Sequence, residues 1–532
     1  MTLLNTMLSS LPSFEGVVGI LTVRNATILV CGWMIFQLLR AAWHISPFHP
    51  LSRFPGPRLA AATYLPEYWY DFVKVGRYTY EIKRMHEIYG PMVRINPDEI
   101  HCNDFSFVDN IYAAGGRKRD KPNHQTRGSP FEGSGFMTSP HDLHRLRRAP
   151  LVKFFSRPQI SRYEPHIREY AQRLCEKLLA GTSDHAPFEL QAAYSDFTSD
   201  VISDYCFGES FGFLTQKMGT PNFRGPLYAL LNMTYVFRFY PLLKHTLMAM
   251  PWFLDYLPKG MSLLVHTMQI DIPSRVNKAI ADTNAGVVDE KYPTIFGELI
   301  NSDLPAAEKT QARLAGEAVT VLGGGTETGS WTLSVITYYL LSQPHTLAKL
   351  TTELRAAIQD PLDLPPWFDL ERLPYLSAVV QEGLRLSYGV SGRTARVATD
   401  EDLVYRGEWR GASVEHVLPR GYAVGMSTLL VHHDEALFPD SHKFAPERWL
   451  DEGMQRRHDV DKYLMSFSKG TRMCLGMNLA LCEMYTLVAA FTLRVFPHMR
   501  LYETTEDDVR HHHDLFVPVA RKESKGVRVV LV

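Results

Sequence analysis

Polar and apolar positions divide the chain into an uncharged N-terminal run and a long series of periodic segments. No charged side chain occurs between Arg24 and Arg40, and the apolar run continues through Ala41, Ala42, Trp43 and Ile45. Its length reaches the roughly 20 residues that span a bilayer, provided Arg40 snorkels to the interface, where Trp43 also sits. Pro47 predicts the end of that helix. Pro47, Pro50, Pro55 and Pro57 predict a stiff, extended hinge. Helical spacing follows over Thr79–Tyr89, stopped by Gly90-Pro91, and then a short strand from Met92 to Ile95 with a turn at Asn96-Pro97-Asp98. Helical patterning returns from Arg145 to about Leu179, within 186–355 and over 365–387. Strand-like pieces lie near 393–430, a loop-rich stretch runs to about 470, a helix covers about 475–495, and strands close the chain over 514–532. The expectation is a mainly α protein with small β-sheets. It divides into an N-terminal membrane anchor (1–46), a proline-rich hinge (47–58) and one large domain (59–532), because no linker composition interrupts the remainder.

Composition narrows the classes. Of 532 residues, 45% are hydrophobic and 21% charged, a folded rather than disordered balance. A net charge of −1 argues against a nucleic-acid partner, which needs a basic surface. Six cysteines exclude a disulfide scaffold and fit a reducing compartment. Arg40, Arg53 and Arg58 follow the apolar run whereas Arg24 alone precedes it, which places the bulk of the chain on the cytosolic side. Asn25-Ala26-Thr27 reads as a glycosylation sequon lying close to the membrane.

Four segments carry candidate chemistry. Phe467-Ser468-Lys469-Gly470-Thr471-Arg472-Met473-Cys474-Leu475-Gly476 puts a cysteine at the end of a glycine-bearing loop where a helix begins. Helix N-terminal amides stabilise a thiolate there, glycines admit a flat ligand, and a thiolate can ligate haem iron axially. Arg472 is then expected to pair with a haem propionate. Cys31, Cys102, Cys175, Cys206 and Cys482 read as ordinary small apolar residues. Glu382-Gly383-Leu384-Arg385 places two charges on one helix face. Alone this is compatible with a surface pair, but the apolar flanks suggest burial, and Arg448 in Phe444-Ala445-Pro446-Glu447-Arg448-Trp449 supplies a third member for a Glu–Arg–Arg network. Gly323-Gly324-Gly325-Thr326-Glu327-Thr328-Gly329 interrupts a long apolar helical pattern. It reads either as a break between two helices or as a distorted turn opening a groove for dioxygen, with Thr328 holding water and Glu327 feeding protons inward.

These motifs, in this order, resemble the cytochrome P-450 family of haem-thiolate monooxygenases from the hinge to the C-terminus. The cysteine loop fits F-x-x-G-x-R-x-C-x-G at every fixed position, Glu382 and Arg385 fit E-x-x-R, and Gly324, Gly325, Glu327 and Thr328 fit the A/G-G-x-D/E-T element. The resemblance implies a helical triangular prism around one haem b, with Cys474 as metal ligand. Phe467, Gly476, Gly325, Arg472, His144, Arg148 and Arg396 are then cofactor-binding residues. It also implies O2, an apolar substrate, electrons from NADPH through a cytochrome P-450 reductase, cytochrome b5 as a further donor, and single-pass residence in the endoplasmic reticulum membrane. His144 stands where the family has Trp, Gly329 where a second Thr or Ser is usual, Arg393 competes with Arg396, and Thr326 with Thr328. Residues 54–71, 89–101, 379–390 and 524–529 resemble filamentous-fungal enzymes of the trichodiene oxygenase type. This implies oxidation of a secondary metabolite, a terpenoid or meroterpenoid, with a polyketide or alkaloid substrate as the alternative. A haem-thiolate isomerase or dehydratase and a non-catalytic haem sensor are the other readings. His511-His512-His513 reads as a solvated loop, residues 219–262 as helix core or substrate-channel lid, and Lys153, Lys462 and Lys469 as solvated lysines.

Overall fold

The computed structural model describes residues 23–126, 129, 131, 133–181, 186–243, 246, 263, 265–286 and 293–532. Much of 219–262, read as core or lid, lies outside them beyond residue 243. The longer helices are α1 (Val23–Ile45), α2 (Tyr78–Tyr89), α3 (His141–Phe154), α4 (Arg157–Ala180), α5 (Leu190–Phe207), α6 (Arg224–Asn232), α7 (Ile272–Asn284), α8 (Gln311–Ser342), α9 (Pro344–Ala357), α10 (Pro374–Ser387) and α11 (Met477–Arg494). Strands β1 (Met92–Asn96), β2 (Glu99–Cys102), β3 (Arg119–Asp120), β4 (Phe188–Glu189), β5 (Arg396–Ala398), β6 (Leu403–Trp409), β7 (Ala412–Leu418), β8 (Ala423–Gly425), β9 (Met499–Leu501), β10 (His513–Leu515), β11 (Val517–Val519) and β12 (Arg528–Leu531) form small sheets. The largest has the order β1-β2-β8-β5-β3, with β2 and β8 parallel and the other pairs antiparallel. The protein is mainly helical with small sheets, and its main core lies among α4, α5, α8, α10 and α11, built on side chains such as Leu174, Phe197, Ile336, Val380 and Leu487.

Helix α1 carries a 22-residue segment, Arg24–Ile45, long and apolar enough to cross a bilayer. Its large side chains point outward, with Leu38 70% exposed, whereas a soluble core helix would bury them. The hinge is not the extended spacer its prolines predict. It folds into successive turns (His49 N–H to Ser46 O, 3.1 Å; Ser52 N–H to His49 O, 2.8 Å) and buries Leu51 and His49. Arg94 on β1 holds it together with the end of α1: the backbone N–H donates to Pro55 O at 2.8 Å and the guanidinium to His44 O at 2.9 Å. Burial of Leu51 and the carbonyls offered to Arg94 outweigh the preference of prolines for extension.

The single helical pattern from Arg145 to Leu179 divides into α3 and α4, because Ser156 takes extended backbone angles and Pro158 occupies the first turn of α4. Helix α8 shows neither the break nor the distorted turn expected at Gly323–Gly329; it is α-helical throughout. Each interior glycine costs about 1 kcal/mol in propensity, and close packing offsets it. A Cβ on Gly325 would lie 2.8 Å from Ile202 Cγ1, and one on Gly329 would lie 3.2 Å from Thr198 Cγ2, both on α5. The Thr198 hydroxyl also donates to Thr326 O at 3.0 Å. The histidine tract is not a solvated loop. His511 is buried against Tyr80 and Tyr388, and Asp514 is buried within the β10–β11 hairpin, accepting from Ser391 Oγ (3.2 Å) and Phe516 N–H (2.9 Å).

Candidate active site

Between α8, α3, β5 and the loop leading into α11 lies a cavity of about 380 Å³. Cys474 faces it from the loop. The Cys474 N–H donates to Phe467 O at 2.8 Å, which folds the loop under the cavity. The sulfur accepts from the backbone N–H of Gly476, the residue that caps α11. Cys474 is exposed to the cavity, yet desolvation by the surrounding protein pushes the thiol up from its ordinary range, while that amide and Arg148 pull it down. A cation at the sulfur would complete the stabilisation that the helix start and Arg148 begin.

Gly324 also lines the cavity, with nothing among the described residues within 4 Å of a Cβ built there. Gly325, expected among the cofactor-binding residues, also lines the cavity, and Ile202 leaves no room for a side chain there. The two threonines differ in position. Thr326 is fully buried, with its hydroxyl 3.2 Å from Ser199 Oγ, whereas Thr328 lines the cavity and its hydroxyl donates to Gly324 O at 2.7 Å. Glu327 is buried on the same helix. Its Oε1 accepts from Gln191 Nε2 at 2.9 Å and its Oε2 has no partner among the described residues. Burial raises this carboxyl to about 7, against the pull of Arg224. Arg224 donates to Gln191 Oε1 (2.9 Å) and Glu189 Oε2 (2.6 Å), which links Glu327 to a half-buried ion pair. Gly329 leaves room for Glu483, whose carboxyl is pushed well up by burial.

Seven basic side chains line the cavity: Lys121, His144, Arg148, Arg238, Arg393, Arg396 and Arg472. Arg238 pairs with Glu67, but Lys121, Arg148, Arg396 and Arg472 form no salt bridge among the described residues. Burial and mutual repulsion push Lys121 well down and Arg472 down to about 9; burial also lowers Arg148 and Arg396. His144 falls to about 2 through burial and the nearby cations, and is therefore neutral. Arg472 spends three donors on the carbonyls of Arg119 (3.0 Å), Thr138 (2.7 Å) and Ser139 (2.7 Å), and Arg396 only reaches the carbonyls of Thr394 and Ala395. Arg393, by contrast, is compensated by Asp71 (2.7 Å) and Glu67 (3.3 Å). Buried cations without counter-charges are costly. A flat, apolar dianion carrying two carboxylates, with a metal presented to a thiolate, is the ligand that removes this cost, and the residues present fit haem. Lys121 was not foreseen, since a lysine between Asp120 and Pro122 carries no sequence signal.

The charge pair on α10 is buried. Arg385 grips Glu382 bidentately (2.9 and 2.8 Å), and Arg448 Nε (3.0 Å), Trp449 Nε1 (2.8 Å) and the Ala445 N–H (2.9 Å) donate to the same carboxylate. Arg385 also donates to the carbonyls of His432, Ser441 and Lys443. These contacts hold Glu382 low despite its burial, and they tie the loop before Cys474 to the core.

The family profile described as Cytochrome P450 matches residues 66–519. The chain is 41% identical over 456 residues to the cytochrome P450 monooxygenase ppzE of Metarhizium majus, covering 83% of this chain and 94% of that protein. It is 39% identical to the cytochrome P450 monooxygenase tpcC of Cochliobolus heterostrophus (90% and 92% covered). It is 37% identical to the tryptophan 6-hydroxylase fscE of Fusarium equiseti (91% and 92%). The chain belongs to the cytochrome P450 family. It is a haem-dependent monooxygenase of the fungal secondary-metabolite type, using haem b on a cysteine thiolate, O2 and electrons supplied by a redox partner.

Proposed function

We propose that this monooxygenase hydroxylates, or otherwise oxidises, an apolar terpenoid or meroterpenoid intermediate. Residues 1–46 would anchor it in the endoplasmic reticulum membrane, and 47–58 would join that anchor to a cytosolic domain fed by NADPH-cytochrome P450 reductase and cytochrome b5. The observation that carries this reading is the cavity itself. Its lining brings together uncompensated cations, the Cys474 thiol, Gly324 and the Thr328 hydroxyl with apolar side chains such as Phe131, Met137, Ile202, Leu227 and Val321. Such walls favour an apolar ligand with few polar groups.

In this reading Cys474 would ligate the haem iron, Arg148, Arg396, Arg472 and neutral His144 would hold the propionates, and Phe467, Gly476, Gly324 and Gly325 would shape the bed for the ring. Haem, when bound, supplies dioxygen activation and oxidation of an unactivated C–H bond. Thr328 has its proton committed to Gly324 O, so its lone pairs accept from a water in the cavity. Glu327 holds a proton near neutral pH and can release it inward, as a general acid must. The apolar walls exclude bulk water and orient the substrate.

The test is reconstitution with reductase and NADPH against cyclised terpenes, with indole substrates as the second panel because one relative is a tryptophan 6-hydroxylase. A product heavier by one oxygen atom from the terpene panel, dependent on NADPH, is expected. Conversion of indoles alone would move the substrate class, and turnover without NADPH would replace the oxidation by isomerisation or dehydration. Cys474→Ala is expected to lose the red-displaced Soret band of the reduced carbon monoxide complex, and Thr328→Ala to consume NADPH without matching product. Retention of the band or of the coupling overturns the respective role.

A further inference from the structure

Residues 133–139 form one wall of the cavity. Gly135, Phe136 and Met137 line it, and Phe136 packs edge-on to Phe516 in the β10–β11 turn, with centroids 5.8 Å apart. Within the loop the Thr138 N–H donates to Gly135 O at 3.2 Å, and on one side Lys121 meets it, its N–H donating to Ser139 O at 3.0 Å and its Nζ lying 3.4 Å from the Phe136 ring centroid. Two outside tethers hold it to the helices. The Gly135 N–H donates to Glu317 Oε2 at 2.8 Å, and Thr138 Oγ1 accepts from Arg147 Nη1 at 2.8 Å. Alternating charges join these tethers: Glu317 to Arg313 (2.6 Å), Arg313 to Glu308 (3.0 Å), and Glu308 to Arg147 (2.7 Å and, bidentately, 2.9 Å). The circuit thus runs from α8 through residue 308 to α3 and back through the loop. All four charged side chains are at most 17% exposed.

Glu317 also lines the cavity, eleven residues, or about three turns, before Thr328 on α8. Gly135 is small where the carboxylate must reach backbone. A Cβ there would lie 3.4 Å from both Glu317 oxygens and 3.5 Å from Arg147 Cβ. The same loop offers the Thr138 and Ser139 carbonyls to Arg472. A buried carboxylate with one face on a single loop amide and the other on an arginine chain is costly to maintain unless the amide it fixes matters.

We propose that Glu317 is the positioning residue for the substrate wall. It pins residues 133–139 so that Phe136 and Met137 stand preformed against an apolar substrate, and thereby sets selectivity for bulk. This rests on the reading of the cavity as the oxidation site. It acts through the loop and not on the reacting atoms.

The test uses full-length holoprotein carrying Glu317→Leu or Glu317→Gln; glutamine keeps an acceptor for the Gly135 N–H and drops the charge. Hydrogen–deuterium exchange reads the loop peptide spanning 133–139. Exchange in Glu317→Leu is expected to rise about tenfold, the loss of one charge-assisted hydrogen bond, with the α8 peptide over 330–342 unchanged and glutamine restoring most of the protection. Optical titration then compares imidazole with the triaryl azole clotrimazole. Glu317→Leu is expected to weaken clotrimazole about tenfold and leave imidazole unchanged, with rescue by glutamine. Wild-type exchange in Glu317→Leu, or equal losses for both azoles, overturns the proposal. Failure of the wild-type protein to give a thiolate carbon monoxide spectrum would instead sink the haem assignment, and the exchange arm would still read the tether.

Discussion

Replacing Glu327 by glutamine sets function against stability. In the folded protein burial holds this carboxyl up to about 7, with Arg224 and the Gln191 amide pulling it down and Glu189 pushing it up; the ordinary value is 4.5. Between those pH values the native state keeps a proton that the unfolded chain has released. Stability therefore falls as pH rises through this window, and the loss is complete above about pH 7. At 1.36 kcal/mol per pH unit, the interval corresponds to about 3 kcal/mol. Glutamine carries no charge and preserves an acceptor for Gln191 Nε2, so it escapes that loss. The variant should match the wild type near pH 4.5 and exceed it by up to about 3 kcal/mol at about pH 8. Denaturant unfolding of purified holoprotein across this range, followed by circular dichroism, measures the difference. A gap that stays flat with pH, or a variant less stable at about pH 8, refutes the reasoning. The same variant should form less product per NADPH, because an amide cannot deliver the proton. More stability with poorer coupling is the combined signature.

Other outcomes follow from packing and charge. Glu382→Ala leaves Arg385 buried without its carboxylate and should cost about 3–5 kcal/mol, read as a lower denaturation midpoint and haem loss during gel filtration. Gly383→Ala places a Cβ 2.2 Å from Ile336 Cγ1 and should cost about 1–3 kcal/mol by overpacking; Ile336→Ala in the same chain should relieve that strain, and absence of rescue in a double-mutant cycle would exclude the contact as its source. Arg396→Met removes an uncompensated buried cation, so protein prepared without haem should gain stability while haem affinity falls, as thermal melts and haem titration will show. Deleting residues 1–46 should move most of the protein from pelleted microsomes to the supernatant, as immunoblotting would detect.

Much of the fold was legible because its signals are local. The uncharged run from Arg24 to Arg40, the helix of α11, the strand at Met92 and the turn at Asn96-Pro97-Asp98 follow from neighbouring residues alone. The cysteine loop and the E-x-x-R pair were legible because their spacing is short and chemically particular. Sequence favoured Thr328 over Thr326 and Arg396 over Arg393, but by resemblance alone. In each pair both residues carry the right chemistry, and only the packing of α5 on α8, or the Asp71 and Glu67 carboxylates beside Arg393, separates them. Lys121 and the Glu317 tether were invisible because they join segments far apart in the chain. The hinge and the histidine tract misled for the same reason: proline stiffness and polar composition are local tendencies, and Arg94 and Tyr388, distant in sequence, override them. By itself the sequence determined the chemistry available, a thiol, acids and cations in recognisable order. The tertiary structure decided which of them face one another, because burial and counter-charge are properties of neighbours that folding alone assembles.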